Sequence, residues 1–600
     1  MNIPERFLPP PWTAVVLLCA SACINVPAIE PAQAEVRITS LEGTTYTNGT
    51  VELRLAVTGH APDRVELLKN GEVLAELASP YVYTWDTSSE AEGTYRLEAR
   101  ATLGDTAVVS ERRDVVVDRT PPHVASRVPE PGAQEVWVQS PIRAEFSEPM
   151  KASTVTTESV HLRVGDVAVA HTVSLSEDGK TLTVVPVTAM TAPSTADLAF
   201  SGTLTDLAGN EAVDLGTAWS WVLPEFVPYP FHSAVPSGAH NRWLKPYIKV
   251  DPRGHPVVLA WKNDGTTESL LVTRWTGNTW EQLGSNLKTS AQDYSIHTPT
   301  LQLLPDGTPI VAWQEDIGAE FNNYIHVAKW TGTDWSRLGG EQGIFPEQPH
   351  AWGFSMRLTK QGHPVVAVDM DPEASEGGTI HVYKWIQDQW QRVGTPLEGE
   401  SESSTATPFL ALDAHDNPIV AFTHEDGEGR IFVWRWDGEY WTRLGSTLNS
   451  YNEHHSGAPI SIAFDSTNHP IISWTGYAPP LREYEIFFKT WSPDGWIPLS
   501  PPTRHIGTSS RGVAAIHFIP DQGLFAASTE SADNRTSIHL NKYVDNHWLS
   551  VWNTRNSFDE SRSVGTDLSV DISPLGDIVL GWSENQNEQQ RALVIYRKNK

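Results

Sequence analysis

Four tryptophans are the residues of this sequence best suited to bind a ligand: Trp243, Trp352, Trp434 and Trp552. An indole offers a flat apolar face on which a sugar ring can stack, and one N–H donor. Most tryptophans of the second half of the chain recur at regular intervals, and such residues are required by the fold. These four stand outside that spacing, so we take them as ligand-binding candidates, with packing inside the protein as the competing interpretation.

Two clusters of ionisable residues could in principle hold a metal ion or transfer protons. His454 and His455 are adjacent, and neighbours on a strand point to opposite faces, so they would not bind one metal together. Glu398, Glu400 and Glu402 form an acidic run that is typical of a solvated loop. Neither cluster predicts a catalytic site.

Asp206 and Asn210, in the segment TDLAGN, could bind calcium through their side-chain oxygens. A turn in which the aspartate accepts backbone N–H groups explains the same pattern, and it is the interpretation we favour. No Walker loop, dinucleotide fingerprint, H-E-x-x-H motif or nucleophile elbow occurs in the chain. The sequence therefore predicts no catalytic residue, no metal site and no cofactor.

Length and composition indicate several all-β domains. The chain has 600 residues, too many for one hydrophobic core, and its 42 glycines, 43 prolines and 24 tryptophans indicate many turns and aromatic strand positions. The formal net charge of −30 repels phosphate backbones, which argues against nucleic acid as a partner.

The N-terminal segment has the features of an export signal. Arg6 precedes an apolar run over 12–26 that is too short for a comfortable membrane span. Cleavage after Ala34 is one alternative, which makes 1–34 the signal segment. The other is a signal that ends at residue 22, since the segment around Cys23 resembles a bacterial lipobox, although Ala20 stands where leucine is usual. In the second case a lipid on Cys23 would be the protein's contact with a membrane.

Residues 35–118 carry short alternating segments separated by turns. Val51 to Val57 alternates apolar and polar residues, and Asn70-Gly71 predicts a tight hairpin because both residues tolerate positive φ. About seven such strands predict an immunoglobulin-like sandwich. The run from Val65 to Ala101 resembles the bacterial Ig-like domains of surface proteins.

A second sandwich is predicted over 119–224. Asp118-Arg119-Thr120-Pro121-Pro122 is a stiff linker, and the motifs IRAEFSEPM, EDGKTLTVVP and TDLAGNEA follow it in order. This succession resembles the Ig-like domain first described in bacterial surface-layer proteins. The resemblance implies a role in spacing or adhesion.

Residues 225–600 contain seven repeats. A segment of the type G-x-P-h-V-A-W, in which h is an apolar residue, recurs at intervals of 52 to 55 residues. It ends at these positions: Trp261, Trp313, Val368, Phe422, Trp474, Ala527 and Trp582. After each of the first six comes an aromatic residue, a four-residue turn and a tryptophan, which predicts a hairpin closed by an aromatic pair. Four strands per repeat of about 50 residues predict a seven-bladed β-propeller.

The last repeat ends before its fourth strand. The segment Phe226 to Phe231 lies at the interval expected for that strand, so we expect it to complete the last sheet as an edge strand that tolerates its prolines. The fold class is therefore all-β, with two Ig-like sandwiches followed by a seven-bladed propeller.

The function that the sequence favours is binding at a cell surface. An exported, non-catalytic protein whose Ig-like modules present a propeller to a protein or polysaccharide fits the signal, the modules and the lack of catalytic motifs. A secreted carbohydrate-active enzyme is the alternative, although the turns lack the sialidase signature S-x-D-x-G-x-x-W. A purely structural envelope component is a third.

Overall fold

A computed structural model describes most of the chain from residue 35 onward. The described residues are 35–229, 243–263, 268–287, 294–317, 322–340, 343–345, 351–370, 378–399, 407–423, 430–449, 460–478, 483–499, 503–504, 515–519, 522–532, 535–555, 568–573, 576–587 and 590–599. They form two compact units. The second unit runs from Trp221 to the C-terminus and includes the short pieces Ala133–Ser140 and Ala189–Ala196, and the remainder forms the first.

The first part of the first unit is a two-sheet β-sandwich. Its sheets have the strand orders β1-β3-β6 and β2-β9-β7-β4-β5, with β8 pairing β7. The strands are β1 (Glu35–Ile38), β2 (Thr44–Thr47), β3 (Thr50–Thr58), β4 (Arg64–Lys69), β5 (Glu72–Glu76), β6 (Val82–Asp86), β7 (Gly93–Leu103), β8 (Thr106–Val109) and β9 (Arg113–Val117).

Alternation of apolar and polar residues builds this sandwich. In β3 the side chains of Val51, Leu53 and Leu55 are buried while the residues between them are exposed. They pack in one core around Trp85. The predicted hairpin at Asn70-Gly71 is confirmed, with φ values of 53° and 90°. The structure has nine strands here where the sequence predicted about seven.

A second sandwich follows, with sheets β10-β11-β15-β14 and β13-β12-β16-β17 and one 3₁₀ helix, Ala152–Thr154. Its strands are β10 (Val124–Val128), β11 (Ile142–Phe146), β12 (Val160–Val164), β13 (Val167–Ala168), β14 (His171–Leu175), β15 (Thr181–Pro186), β16 (Ser194–Phe200) and β17 (Ser220–Leu223).

Seven sheets of four or five strands follow within the described residues of the second unit. We number them by the repeat that supplies their first strand. The first four comprise β19 (Trp243–Val250), β20 (Pro256–Asn263), β21 (Glu268–Trp275) and β22 (Trp280–Gln282); β23 (Tyr294–Leu303), β24 (Pro309–Ile317), β25 (Asn322–Trp330) and β26 (Trp335–Arg337); β27 (Ala351–Leu358), β28 (Pro364–Met370), β29 (Thr379–Ile386) and β30 (Gln389–Arg392); β31 (Phe409–Leu412), β32 (Pro418–Thr423), β33 (Arg430–Trp436), β34 (Trp441–Arg443) and β35 (Leu448–Asn449).

The other three comprise β36 (Ile460–Phe464), β37 (Pro470–Ala478), β38 (Glu483–Ser492), β39 (Gly495–Pro498) and β40 (Thr503–Arg504); β41 (Ala515–Ile519), β42 (Gly523–Ala532), β43 (Arg535–Val544) and β44 (His547–Arg555); β45 (Ser569–Ile572), β46 (Ile578–Asn587) and β47 (Gln590–Lys598), with β18 (Phe226–Pro228). The prediction of two strands around the Asp/Gly turn and two around the aromatic hairpin is confirmed in the first six sheets.

The seventh sheet is completed by the strand that precedes all the others. β18 pairs antiparallel with β47, so that Phe226 lies opposite Lys598 and Pro228 lies opposite Tyr596. β18 is at the edge of the sheet, where its proline withholds no donor from a neighbouring strand. The predicted contribution of this segment to the last repeat is confirmed.

Consecutive sheets share apolar cores. Seven apolar clusters of described residues each combine side chains of two neighbouring sheets, and one of them joins the seventh sheet to the first. Side chains also link neighbouring first strands directly. Ser569 accepts a hydrogen bond from the backbone N–H of Ile248, and Ser461 accepts one from that of Ile516.

The periodic tryptophans pack between sheets, as predicted. Trp330 and Trp335 lie opposite each other on β25 and β26, with ring centroids 5.4 Å apart. Nε1 of Trp335 donates a hydrogen bond to the Leu283 carbonyl of the preceding sheet. The same bond recurs from Trp390, Trp441 and Trp496. Each of these aromatic pairs therefore packs between neighbouring sheets, and a ligand could not stack on both faces of its rings.

The chain's described residues contain no helix of the length and apolarity needed to traverse a lipid bilayer.

Candidate functional site

A cavity of about 550 Å³ lies among the first strands of the sheets of the second unit. Its lining comes from β19, β23, β27, β36, β41 and β45. A cavity of this size falls within the range of small-ligand sites. Six of the seven sheets contribute to this cavity, each through its first strand.

One equivalent position of each repeat forms a layer of residues, six of which line this cavity. In six sheets the residue at this position pairs with the second residue of the next strand, and in the sixth sheet His517 pairs with the third residue of β42. In sheet order the layer is Lys249, Gln302, Arg357, Ala411, Ala463, His517 and Asp571. Five repeats thus place a polar side chain where two place alanine.

Lys249 and Asp571 neutralise each other within this layer. Nζ of Lys249 lies 2.7 Å from Oδ1 of Asp571, and Oδ2 of Asp571 accepts the backbone N–H of Val250 at 2.8 Å. The aspartate side chain is only 12% exposed. Both carboxylate oxygens are therefore occupied, and this pair joins the seventh sheet to the first.

Arg357 has no such partner. Its Nη1 donates to the carbonyl oxygen of Met356 at 2.8 Å, and it forms no ion pair with any residue that the structure describes. Burial lowers the pKa of the guanidinium, whereas the charge of Asp571 raises it. A guanidinium remains protonated at any physiological pH, so the cavity carries an unneutralised positive charge at this point.

His517 is uncharged at neutral pH. Burial lowers the pKa of its imidazole to about 4, and the neighbouring charges of Lys249 and Arg357 act in the same direction. The charge of Asp571 acts in the opposite direction but does not offset the burial. The imidazole can accept or donate a hydrogen bond to a ligand, but it adds no charge near pH 7.

The tryptophans singled out by sequence lie in different surroundings. Trp352 is in β27 and is 48% exposed. Trp434 is half-buried against the core between the third and fourth sheets, and its Nε1 has no hydrogen-bond partner among the described residues. Trp552 packs on Phe226, with ring centroids 4.7 Å apart, and Trp243 is the first residue of β19. Trp352, Trp434 and Trp552 do not line the cavity.

The turn at Asp206 has the predicted form. Oδ1 of Asp206 accepts the backbone N–H groups of Gly209 and Asn210, and Oδ2 accepts the side-chain amide of Asn210. That amide also donates to the carbonyl oxygen of Asp118. The Asn210 side-chain oxygen accepts from Asn48 of the first sandwich. The two sandwiches of the first unit are thus tied together at this turn.

Three carboxylates meet beside the same turn. Oxygens of Asp118, Glu148 and Asp206 lie within 4.8 Å of one another. Burial, together with the charges of Asp118 and Asp206, raises the pKa of Glu148 to about 7. Sequence reasoning selected only Asp206 from this group.

Of the acidic run at Glu398, only Glu398 itself is described, and it is exposed. His454, His455, Glu400, Glu402 and Cys23 lie outside the described residues.

The charged layer of the cavity was missed by sequence reasoning. Its members lie within the aligned repeats, but the repeat is recognised by its aromatic and turn positions, which stay constant. The signal that could have identified it is a single position whose residue type varies between repeats, being lysine, glutamine, arginine, alanine, histidine or aspartate. A position that packing does not fix is free to serve a ligand.

Comparison with known proteins identifies the domains of the first unit. Residues 118–222 match the family model of a bacterial Ig-like domain, and residues 35–99 match that of a bacterial Ig domain. The two resemblances inferred from sequence motifs are thereby confirmed. No curated protein sequence matches the chain.

Several solved structures are similar to part of the chain at low identity. A protein of unknown function from Dyadobacter fermentans is 11% identical over 61% of this chain and 97% of its own, with a TM-score of 0.37. An ulvan lyase is 10% identical over 60% and 94%, with a TM-score of 0.41. A lectin of Aleuria aurantia, described as a six-bladed β-propeller, is 13% identical over 54% and 100%, with a TM-score of 0.35.

Proposed function

We propose that this chain is an exported, non-catalytic binding protein of the bacterial surface, and that its C-terminal part is a seven-bladed β-propeller that binds a glycan. The domain layout that we propose is 35–118 and 119–224 for the two Ig-like domains and 225–600 for the propeller. Supporting the propeller are the seven consecutive sheets, the apolar cluster that joins the last sheet to the first, and the pairing of β18 with β47.

The observation that carries the binding function is the composition of the cavity layer. Glycoside hydrolysis by the common mechanism needs two carboxyl groups, one of which is free to donate a proton. The one carboxylate among the described lining residues is Asp571, and Lys249 and the Val250 N–H occupy it. The cavity offers hydrogen-bond donors and a positive charge, which suit retention of a ligand.

A glycan is favoured over a protein as the occupant. The cavity is concave, polar and about 550 Å³ in volume, whereas a stable protein partner needs a contact area of about 800 Å² on each side. A protein ligand remains the other outcome of the test, through the outer loops or the exposed Trp352. Trp243, Trp434 and Trp552 stay in the proposal as further ligand contacts to be tested by substitution.

A carbohydrate-active enzyme is the alternative, and one observation favours a specific form of it. Tyr247 and His517 line the same cavity as Arg357, and an elimination reaction needs a proton acceptor, a proton donor and a cation near the substrate carboxylate. The low pKa of His517, about 4, makes its imidazole a weak base at neutral pH. Binding therefore remains the better-supported function.

The test is a glycan array probed with the full-length chain, together with glycosidase and lyase assays on every glycan retained. Retention without turnover supports the proposal. Turnover of any glycan at a rate lost on substituting His517→Ala would replace it by the enzymatic alternative.

Export and anchoring form part of the proposal and have a separate test. We propose a signal segment of 1–34, or one that ends before Cys23 with a lipid on that cysteine. Palmitate labelling of cells expressing the wild type and Cys23→Ala distinguishes the two. Label on the wild type alone identifies a lipoprotein, and absence of label from both favours cleavage after Ala34.

A further inference from the structure

The cavity layer has a gap next to the guanidinium of Arg357, where two successive positions carry alanine. In sheet order the two positions after Arg357 are Ala411 and Ala463, and the next is His517. Alanine side chains end at Cβ, so neither fills the space that a lysine or glutamine occupies elsewhere in the layer. Arg357, Ala463 and His517 all line the cavity, and the layer is therefore open between the arginine and the histidine.

Charge in this layer is distributed unevenly. On one side Lys249 is paired with Asp571 at 2.7 Å, so that pair contributes no net charge. On the other side Arg357 forms no ion pair with a described residue, and its one hydrogen bond to a described residue uses Nη1 alone. The other guanidinium N–H groups form no hydrogen bond with a described residue, and a guanidinium can bind an oxyanion through such groups. The net positive charge of the layer is thus concentrated at the gap, in a chain whose formal net charge is −30.

We propose that this gap is a subsite for an oxyanion, the carboxylate or sulfate group of an acidic glycan, which the guanidinium of Arg357 binds and beside which His517 donates or accepts a hydrogen bond. The inference rests on the proposed glycan-binding function and names its substrate class. Carboxylate and sulfate share the geometry that a guanidinium recognises through two parallel N–H···O bonds. The short side chain of Ala463 leaves room in the cavity for the sugar ring that carries the group.

Desolvation gives the physical reason for an occupant of negative charge. Arg357 is half-buried, and the nearby charge of Asp571 is already paired with Lys249, so desolvation of the guanidinium is costly. An anion that enters the cavity offsets that cost, whereas a neutral sugar does not. The same desolvation lowers the pKa of Arg357. Lys249 gains less from an anion because Asp571 already serves as its counter-charge.

The test compares acidic glycans with their neutral counterparts on the full-length wild type. Tetragalacturonate and a κ-carrageenan tetrasaccharide are titrated by calorimetry beside the carboxyl-reduced and the desulfated forms of the same oligosaccharides. We expect at least one acidic probe to bind at least about tenfold more tightly than its neutral form. The probe that binds identifies the group as carboxylate or sulfate.

Two variants and a matched control assign the effect to the subsite. Arg357→Met should weaken binding of the acidic probe by roughly tenfold to a hundredfold and leave the neutral form unchanged. Arg274→Met removes the same charge from an arginine that is paired with Glu281 and does not line the cavity, and it should have no effect. Ala463→Leu fills the gap while keeping Arg357, and it should also weaken binding of the acidic probe. If Arg357→Met does not fold, the comparison of acidic and neutral probes on the wild type and the binding by Ala463→Leu still test the subsite.

Equal affinity for the acidic and neutral forms, or unchanged binding by Arg357→Met, would overturn the oxyanion subsite. Retention of neutral glycans alone on the array would overturn it too and leave glycan binding intact. A wild type that retains no glycan of any kind contradicts the proposed function and the subsite together.

Discussion

The guanidinium of Arg597 stacks on the indole of Trp137, with Cζ 3.4 Å from the ring centroid. The same Cζ lies 4.7 Å from the centroid of the Tyr229 ring, which is buried. Two residues farther along, Asn599 donates to the carbonyl oxygens of Val136 and Pro224 and accepts the backbone N–H of Val138. The end of the chain is therefore held by the short segment Ala133–Ser140 of the second unit.

Replacing Trp137 with alanine should loosen the last strand. The substitution removes the indole on which the Arg597 guanidinium stacks. We therefore expect the free energy of opening of β47 to fall by about 2 kcal/mol. Hydrogen exchange of peptides that cover Gln590–Lys598 measures it. Trp352→Ala is the matched control, because the indole of Trp352 is 48% exposed. Equal protection of β47 in both variants would contradict the role given to the stack.

Trp552 should behave as a packing residue and Trp352 as a surface residue. Trp552 contacts the rings of Phe226, Trp582 and Tyr596, so Trp552→Ala should lower the midpoint of thermal unfolding of the second unit, with a cost of about 3 kcal/mol. Trp352→Ala should leave that midpoint unchanged. Retention on a glycan array separates the ligand role from packing: a Trp552→Ala chain that stays folded but loses its glycan would show that this indole contacts the ligand.

Gly394 should not tolerate a side chain. A Cβ at this glycine would lie 2.5 Å from the Trp436 ring and 2.6 Å from the Trp441 ring of the next sheet. Gly394→Ala should therefore cost about 2 kcal/mol beyond the effect of its positive φ. Gly438→Ala is the control, since Gly438 also has positive φ but a Cβ there meets nothing within 4 Å. Denaturant titration that finds equal losses for the two variants would contradict the proposed contact between the sheets.

Glu148 should make the first unit less stable as pH rises. Its pKa in the folded chain, about 7, is above the ordinary value of 4.5, so folding favours the protonated carboxyl. That contribution is fully present below pH 4.5 and is lost as the pH rises through about 7. Hydrogen exchange around Asp118 should accordingly show weaker protection, after correction for intrinsic rates, at pH 8 than at pH 5. Glu148→Gln should remove most of this dependence, whereas Glu158→Gln, at an exposed carboxyl, should preserve it.

The sequence predicted those features that the repeat keeps constant. The tryptophan pairs, the turns and the edge strand at Phe226 all follow from spacing, because each sheet must bury the same faces against its neighbours. Lys249, Arg357, His517 and Asp571 could not be recognised in this way. Their proximity depends on first strands of distant repeats lying side by side, which no local pattern records.

Trp552 shows a different limit of periodicity. It stands outside the repeat spacing, yet it lies opposite Leu540, and the strand pairing shifts by one residue between Leu540 and Asn541. This bulge lets β44 extend farther than the fourth strand of the other sheets and brings the indole into the core. An irregular position in the sequence therefore indicated an irregular strand.

The pairing of β18 with β47 has a consequence for the order of folding. β18 leaves the ribosome long before β47 is synthesised, and the seventh sheet contains no other strand from the early part of the chain. A contact between partners so far apart in sequence carries a large loop-closure cost, so it forms late and slowly. Until then β18 has no strand to pair with, and the open edge is exposed to other chains. Pairing of β18 with β47 is thus the last step in forming the seventh sheet. A chain truncated anywhere before Gln590 lacks β47 and cannot complete this step.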